Sequence, residues 1–196
     1  MKTFRAFGPI LGKSKLSKKI VKIINNFIDN TVITKKNDYS SMLASQIKNE
    51  IKFSTIFIKR HLSKELTKNI TEYLKKSEAD KVKQIKIINV WVVKQFKNEY
   101  NPIHYHEGHL SGVGYLKIPK NMNQNRFLKN KKIKTNGTID FINGQKNFLS
   151  KSIYNLNPKV RDLIIFPNYL MHNTYPFSVD GERRSFSFNA KISFKK

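Results

Sequence analysis

The spacing of apolar residues changes at Val82, and this change limits the folds open to the chain. Before it, apolar side chains recur at helical intervals. Ile20, Ile23, Ile24, Phe27 and Ile28 follow an N-cap candidate at Ser17, and Leu66, Ile70, Tyr73 and Leu74 belong to a helix starting near Ser63. A further helix is expected from Ser40 or Ser41 through Met42, Leu43, Ile47 and Ile51, and one short extended segment from Phe4 to Leu11, ending at Gly8-Pro9. After Val82 the apolar runs are short and rich in β-branched and aromatic residues. A long strand spans Ile85 to Val93, and a histidine-bearing strand follows the turn at Lys97-Asn98-Glu99. Leu110 to Ile118, Gly137 to Ile142, Ser152 to Leu156, Asp162 to Phe166, Leu170 to Thr174 and Arg184 to Phe194 bring the strands to about eight. Gly112 and Gly114 are expected to leave open space beside their strand. Helices first and strands afterwards predict a mainly β fold, one sheet-rich barrel buttressed by N-terminal helices. The 196 residues fit a single domain, with 1–81 as the helical buttress and 82–196 as the barrel.

Three of the five histidines fall between His104 and His109, and a fourth, His172, follows the Phe166-Pro167 turn. Side chains at i and i+2 of a strand share a face, so His104 and His106 are expected to reach into one cavity. A histidine from a distant strand, His172, closes a metal site against them; imidazole suits Fe, Zn, Cu and Ni. Glu107 points to the opposite face of a regular strand and is held as a reserve ligand. His109 follows the Glu107-Gly108 turn and has no assigned facing, while His61 is expected on the surface of the helical part. Cysteine is absent, which removes disulfides, thiolate nucleophiles and zinc ribbons. Any metal is held by histidine, carboxylate and water.

The formal net charge is +25, and nearly all the positive charge is lysine, spread along the chain beside abundant Asn, Ile, Phe and Tyr. Two readings stay open: a surface for nucleic acid or another polyanion, or the composition of an A/T-rich coding sequence. Either implies nonspecific affinity for nucleic acid. The long polar loop from Pro119 to Asn136 carries Lys129, Lys131, Lys132 and Lys134, which face either an anionic substrate or simply solvent. No apolar run approaches the ~20 residues of a membrane helix, and Gly8, Pro9 and Gly12 break the N-terminal apolar stretch. A cytoplasmic protein without a membrane partner is expected.

Arg183-Arg184-Ser185 opens the last strand. Alternation puts Arg183 and Ser185 on one face, where a fixed guanidinium and a hydroxyl clamp a carboxylate, with Arg184 on the other. Tyr115 is either core or a hydroxyl donor to a ligand.

Taken in order, His104-x-His106, the run Leu110-Ser-Gly-Val-Gly-Tyr-Leu-Lys-Ile-Pro119, the run Asp162-Leu-Ile-Ile-Phe-Pro-Asn-Tyr-Leu-Met-His172, and Arg183-Arg-Ser-Phe-Ser-Phe-Asn189 resemble the 2-oxoglutarate/Fe(II)-dependent oxygenase superfamily. The likeness is to a branch common in marine bacteria and tailed phages, and it covers about Val82 to Ser193. It implies a double-stranded β-helix, a jelly-roll or cupin-like barrel, with Fe(II) at one open end held by His104, His106 and His172. It also implies 2-oxoglutarate bound through its distal carboxylate by Arg183 and Ser185, with Tyr115 a further contact. The activity implied is hydroxylation of an unidentified substrate, with oxidative decarboxylation of 2-oxoglutarate to succinate and CO2. The chain departs from the usual pattern in two places: His106 stands where most of the superfamily has a carboxylate, and Arg161 where Gly is expected before Asp162. Two rivals remain, a cupin-type metalloenzyme that does not use 2-oxoglutarate and a non-catalytic polyanion-binding barrel. Only the oxygenase needs the Arg183-x-Ser185 anchor.

Overall fold

The computed structural model describes residues 1–5, 8–77, 79, 81–122, 134–149 and 151–195. In chain order the strands are β1 (Lys2–Arg5), β2 (Ile10–Lys15), β3 (Asn49–Lys52), β4 (Val82–Gln95), β5 (Asn101–His104) and β6 (Leu110–Lys117). They continue with β7 (Ile139–Ile142), β8 (Ile153–Leu156), β9 (Asp162–Pro167), β10 (Met171–Thr174) and β11 (Arg183–Phe194). The helices are α1 (Lys18–Asp29), α2 (Thr55–Phe57) and α3 (Ser63–Lys76). Two antiparallel sheets result: seven strands in the order β1-β2-β9-β6-β11-β4-β3, and four in the order β5-β10-β7-β8.

Each large-sheet strand sorts its side chains by alternation. Val90, Val92, Leu116, Leu163, Ile165, Phe186 and Phe188 pack with Ile20, Ile24 and Ile28 of α1 and Leu66, Ile70 and Tyr73 of α3 in one core. From the opposite face, Val113, Tyr115, Ile164 and Phe166 meet Ile139, Phe141 and Leu156 of the small sheet in a second core. The helices therefore back the large sheet, and the small sheet closes over its front. This is the expected mainly β barrel with a helical buttress, and β4 to β11 are the strands read from the sequence.

The N-terminal part holds more strand than its periodicity suggests. The segment read as Phe4 to Leu11 is two strands paired antiparallel, Lys2 opposite Lys13 and Arg5 opposite Ile10. Ser17 does cap α1, its Oγ accepting from the Ile20 N–H at 3.2 Å. The helix expected from Ser40 is a single 3-10 turn, Ser40–Met42. Asp38 Oδ1 accepts from the Ser40 N–H and hydroxyl, and this local pairing competes with helix extension. Ile51 belongs to β3, where it pairs with Val92 of β4; an open sheet edge overrode helical spacing. The helix near Ser63 extends back through a π turn (Ile58–Leu62) to Thr55, capped by Ser54 Oγ on the Phe57 N–H.

On the side where a side chain would stand, Gly112 and Gly114 do not border open space. They lie opposite Phe188 and Phe186 of β11, and an added Cβ would fall 2.4 and 2.3 Å from those rings. The strand gives up two side chains so that two phenylalanines can lie flat between sheet and helices. At Arg161, in place of the expected Gly, φ is +74°. The conformation is held by three hydrogen bonds of 2.8 Å: the Arg161 N–H to the Tyr115 carbonyl, Nε to the Leu16 carbonyl, and the Arg161 carbonyl from the Leu16 N–H. Lys129, Lys131 and Lys132 lie outside the described residues, and Lys134 is exposed. No helix among the described residues is long and apolar enough to cross a membrane.

Replacing Gly112 with alanine forces the Phe188 ring and the strand apart. A loss of about 2 kcal/mol in urea unfolding is expected, typical of overpacking a closed core. Wild-type stability in that variant would show that the ring is free to move away.

Candidate metal centre and its cavity

His104 ends β5, and in the antiparallel pairing it stands directly opposite His172 of β10. His106 lies two residues past the end of β5. Its N–H donates to the Asn168 carbonyl and its carbonyl accepts from Asn168 Nδ2, both at 3.0 Å. Asn168, in the turn between β9 and β10, thus holds His106 facing the same way as His104 after regular strand has ended. Asn168 appears in the sequence only as part of Phe-Pro-Asn, and its role depends on a partner 62 residues away.

The three rings converge. Centroids are 4.9 Å apart for His104 and His106, 4.3 Å for His104 and His172, and 4.9 Å for His106 and His172. One nitrogen from each lies within 4.8 Å of the others. Nδ1 of His104 is 2.7 Å from the Pro102 carbonyl, and Nδ1 of His172 is 2.9 Å from the Leu170 carbonyl. A carbonyl only accepts, so those Nδ1 atoms carry the proton and both Nε2 lone pairs are free for a cation. Trp91, Phe141 and Phe166 surround the cluster. Burial holds all three imidazoles below the ordinary histidine range: His104 by desolvation alone, His106 to about 3 with help from His104, and His172 well down with help from both neighbours. Neutral rings are the form that binds metal.

The other histidines and Glu107 stand apart. His109 Nδ1 accepts from the Ile192 N–H at 3.0 Å, and the half-buried His61 ring packs on Phe57. Glu107 lines the same cavity but does not join the converging nitrogens.

The cavity, of about 380 Å³, extends from the histidines along β11. Arg183, Ser185, Ser187 and Asn189 all line it, while Phe186 and Phe188 between them face the helices. Arg183 is only 2% exposed; one guanidinium nitrogen donates to Gln95 Oε1 at 2.9 Å, and Nε has no partner. The guanidinium lies 5.1 Å from the Tyr115 ring centroid and interacts with the buried Tyr115 hydroxyl, which has no other partner among the described residues. Desolvation lowers the Arg183 pKa from its ordinary value; it raises that of Tyr115, against the pull of the guanidinium. Arg184, on the other face as alternation requires, is satisfied by Glu182 and Asp29 at 2.6 to 2.9 Å. Two adjacent arginines therefore differ in kind: one is paired, and one is a buried cation facing a cavity without an anion.

The sign of the histidine shift sets an acid sensitivity. Between pH 6.5 and about 3 the unfolded His106 binds a proton that the folded ring refuses, so stability is present above 6.5 and falls with pH, by up to about 1.4 kcal/mol per unit. With metal chelated, urea unfolding should show His106→Gln gaining on wild type by roughly that slope as pH falls from 6.5 to 4.5. Parallel pH profiles would mean that the ring titrates normally.

A sequence model of the family described as "Putative 2OG-Fe(II) oxygenase" matches residues 89–189, the stretch that holds both the histidine cluster and Arg183. A search of curated proteins finds no match. Among solved structures, the chain is similar to a viral collagen prolyl hydroxylase from Paramecium Bursaria Chlorella virus-1 in complex with 2OG. Identity is 17%, over 92% of this chain and 94% of that one, with a TM-score of 0.58. It is similar to a Pseudomonas putida prolyl-4-hydroxylase at 9% identity, over 95% and 93% of the two chains, with a TM-score of 0.55. It is also similar to HygX from Streptomyces hygroscopicus with nickel, 2-oxoglutarate and hygromycin B bound, at 10% identity over 95% and 83%, with a TM-score of 0.58. At these identities the likeness is one of fold, the double-stranded β-helix.

Proposed function

Because the chain belongs to the 2OG-Fe(II) oxygenase family, we propose that His104, His106 and His172 hold its Fe(II) and that Arg183, Ser185 and Tyr115 bind its 2-oxoglutarate. The reaction is hydroxylation of an organic substrate, with oxidative decarboxylation of 2-oxoglutarate to succinate and CO2. The observation that carries this reading is Arg183: a buried guanidinium with a free Nε and no carboxylate, in the cavity that the three neutral imidazoles enter.

Burying an unpaired cation costs several kcal/mol, and a carboxylate delivered by a ligand offsets that cost through charge-assisted hydrogen bonds. Gln95 fixes the guanidinium plane on one side. That leaves Nε for the ligand, with Ser185 beside it on β11 and the Tyr115 hydroxyl across the strand pair. His104 and His172 present Nε2 lone pairs with Nδ1 held by backbone carbonyls, so these two rings need no change of tautomer to bind a divalent cation. With three neutral imidazoles and no carboxylate among the proposed ligands, the residues would leave a divalent cation's charge uncompensated, and a dianionic cosubstrate would offset it. Dioxygen is the oxidant, one oxygen atom going to the substrate and one to succinate; bound Fe(II) would activate it, and 2-oxoglutarate would supply two of the four electrons it takes up. The chain supplies orientation, and an aromatic wall of Trp91, Phe141 and Phe166 keeps water from the reacting centre.

A cupin-type enzyme without 2-oxoglutarate accounts for the histidines but gives Arg183 nothing to do. A polyanion-binding barrel accounts for neither.

Anaerobic titration with Fe(II) and then 2-oxoglutarate tests the assignment. A visible charge-transfer band is expected in the wild type and lost in Arg183→Ala, and iron binding without the band would favour the cupin reading. His172→Ala should weaken Fe(II) binding at least about a hundredfold, while His61→Ala keeps it. Equal loss in both variants would undo the ligand assignment.

A further inference from the structure

The cavity contains a second buried ionisable group, a carboxyl, at its other wall. We propose that Glu50 is a specificity residue that anchors a cationic group of the substrate, an amine or a guanidinium carried on an apolar spacer. This rests on the oxygenase reading for the chemistry performed, but the recognition itself follows from Glu50 and its neighbours.

Glu50 lies on β3, opposite Val93 of β4, which in turn faces Ser185 of β11. It therefore stands level with Ser185 but two strand spacings away, about 10 Å across the sheet. The residue is 1% exposed and lines the cavity. Oε2 accepts from the Ser45 hydroxyl, and Oε1 has no partner. In a chain with 38 lysines and arginines against 13 acids, no cation pairs with it among the described residues. Burial, against the Ser45 hydrogen bond and with the help of the acidic Asp38 and Glu99, pushes its pKa up to about 7.

Two further acceptors in the same cavity lack partners, Asn89 Oδ1 and Asn101 Oδ1. The Asn89 amide nitrogen is committed to the Tyr39 hydroxyl at 3.3 Å, which fixes its oxygen as the free atom. The rings of Tyr39 and Trp91 lie 5.8 Å apart on this wall; the Lys52 ammonium already lies over the Tyr39 ring, 5.1 Å from its centroid, so Trp91 offers the aromatic face for a ligand cation. Acceptors without donors among the described residues, beside the Trp91 ring, describe a site for a group that only donates hydrogen bonds. That group is an ammonium or guanidinium.

The dianionic cosubstrate cannot be what this wall serves, since Glu50 would repel it. The cavity divides accordingly: Arg183 receives an anion, Glu50 receives a cation, and the Trp91 ring, 5.6 Å from His106, lies between Tyr39 and the metal ligands. A substrate held by its basic end at Glu50 lays its spacer along Trp91 and presents C–H bonds to the histidine cluster.

Trp91 is the chain's single tryptophan, so its emission reports directly on this wall. The probes are n-pentylamine, 1-pentanol and pentanoate, titrated at pH 8, where the amine is protonated and Glu50 is ionised. In the wild type, the amine should perturb Trp91 emission at concentrations at least about tenfold below those needed with the alcohol, and pentanoate should be weakest. Glu50→Gln should bring the amine to the level of the alcohol. Equal binding of amine and alcohol by the wild type overturns the proposal without recourse to any variant, and so does a preference for pentanoate or an amine preference that survives Glu50→Gln. The Fe(II)/2-oxoglutarate band, read in the same preparations, separates the two readings. Its absence from the wild type removes the cosubstrate site and leaves the amine preference standing. An intact band with no amine preference removes the cationic substrate alone.

Discussion

The alternation of β11 is the constraint on which the rest of the molecule depends. One twelve-residue strand sends Phe186 and Phe188 into the core beneath the helices, and Arg183, Ser185, Ser187 and Asn189 into the cavity. A slip of one residue against β4 or β6 would exchange these faces, burying a guanidinium among isoleucines and leaving two aromatic rings in a polar cavity. The register is held by complementary shape: Gly112 and Gly114 of β6 leave room for the two rings and for nothing larger. The packing that stabilises the sheet therefore also aims the polar side chains.

A cavity built this way holds its charges at a cost. Among the described residues, Arg183 and Glu50 are buried ionisable groups of opposite sign that lie in the same space without pairing. The neighbouring Arg184 shows that the fold can satisfy an arginine fully when binding is not required of it. Marginally stable proteins tolerate a few such unsatisfied groups, and these concentrate where a ligand completes them. The neutral imidazoles of buried His172 and half-buried His104 and His106 belong to the same pattern, since a cation bound between them, as proposed, would offset the cost of their burial.

Much of this was legible in the sequence, and each success has a local cause. Arg183 and Ser185 share a facing, and Arg184 opposes them, because a period of two is a property of the backbone. The strands from Val82 onward were legible because β-branched runs punctuated by Gly, Pro and Asn admit few other structures. The misreadings have causes that no local pattern contains. Ile51 has helical spacing from Ile47, yet it lies in a strand because β4 offered an open edge. Gly112 and Gly114 look like gaps until Phe186 and Phe188 are placed over them. His106 keeps its facing beyond the end of β5 only through Asn168, which the chain brings back from β9.

The sequence by itself determined the order of helices and strands, the two-sidedness of each strand and the residue types available to bind a metal, since these follow from near-neighbour periodicity and composition. Tertiary structure alone decided that His172 pairs with His104, that Arg183 is left without an anion, and that Glu50, on a strand the sequence hid within a helical pattern, faces the same cavity. Those are relations between residues distant in the chain, and a buried charge or a free lone pair exists only once the fold has excluded water from around it.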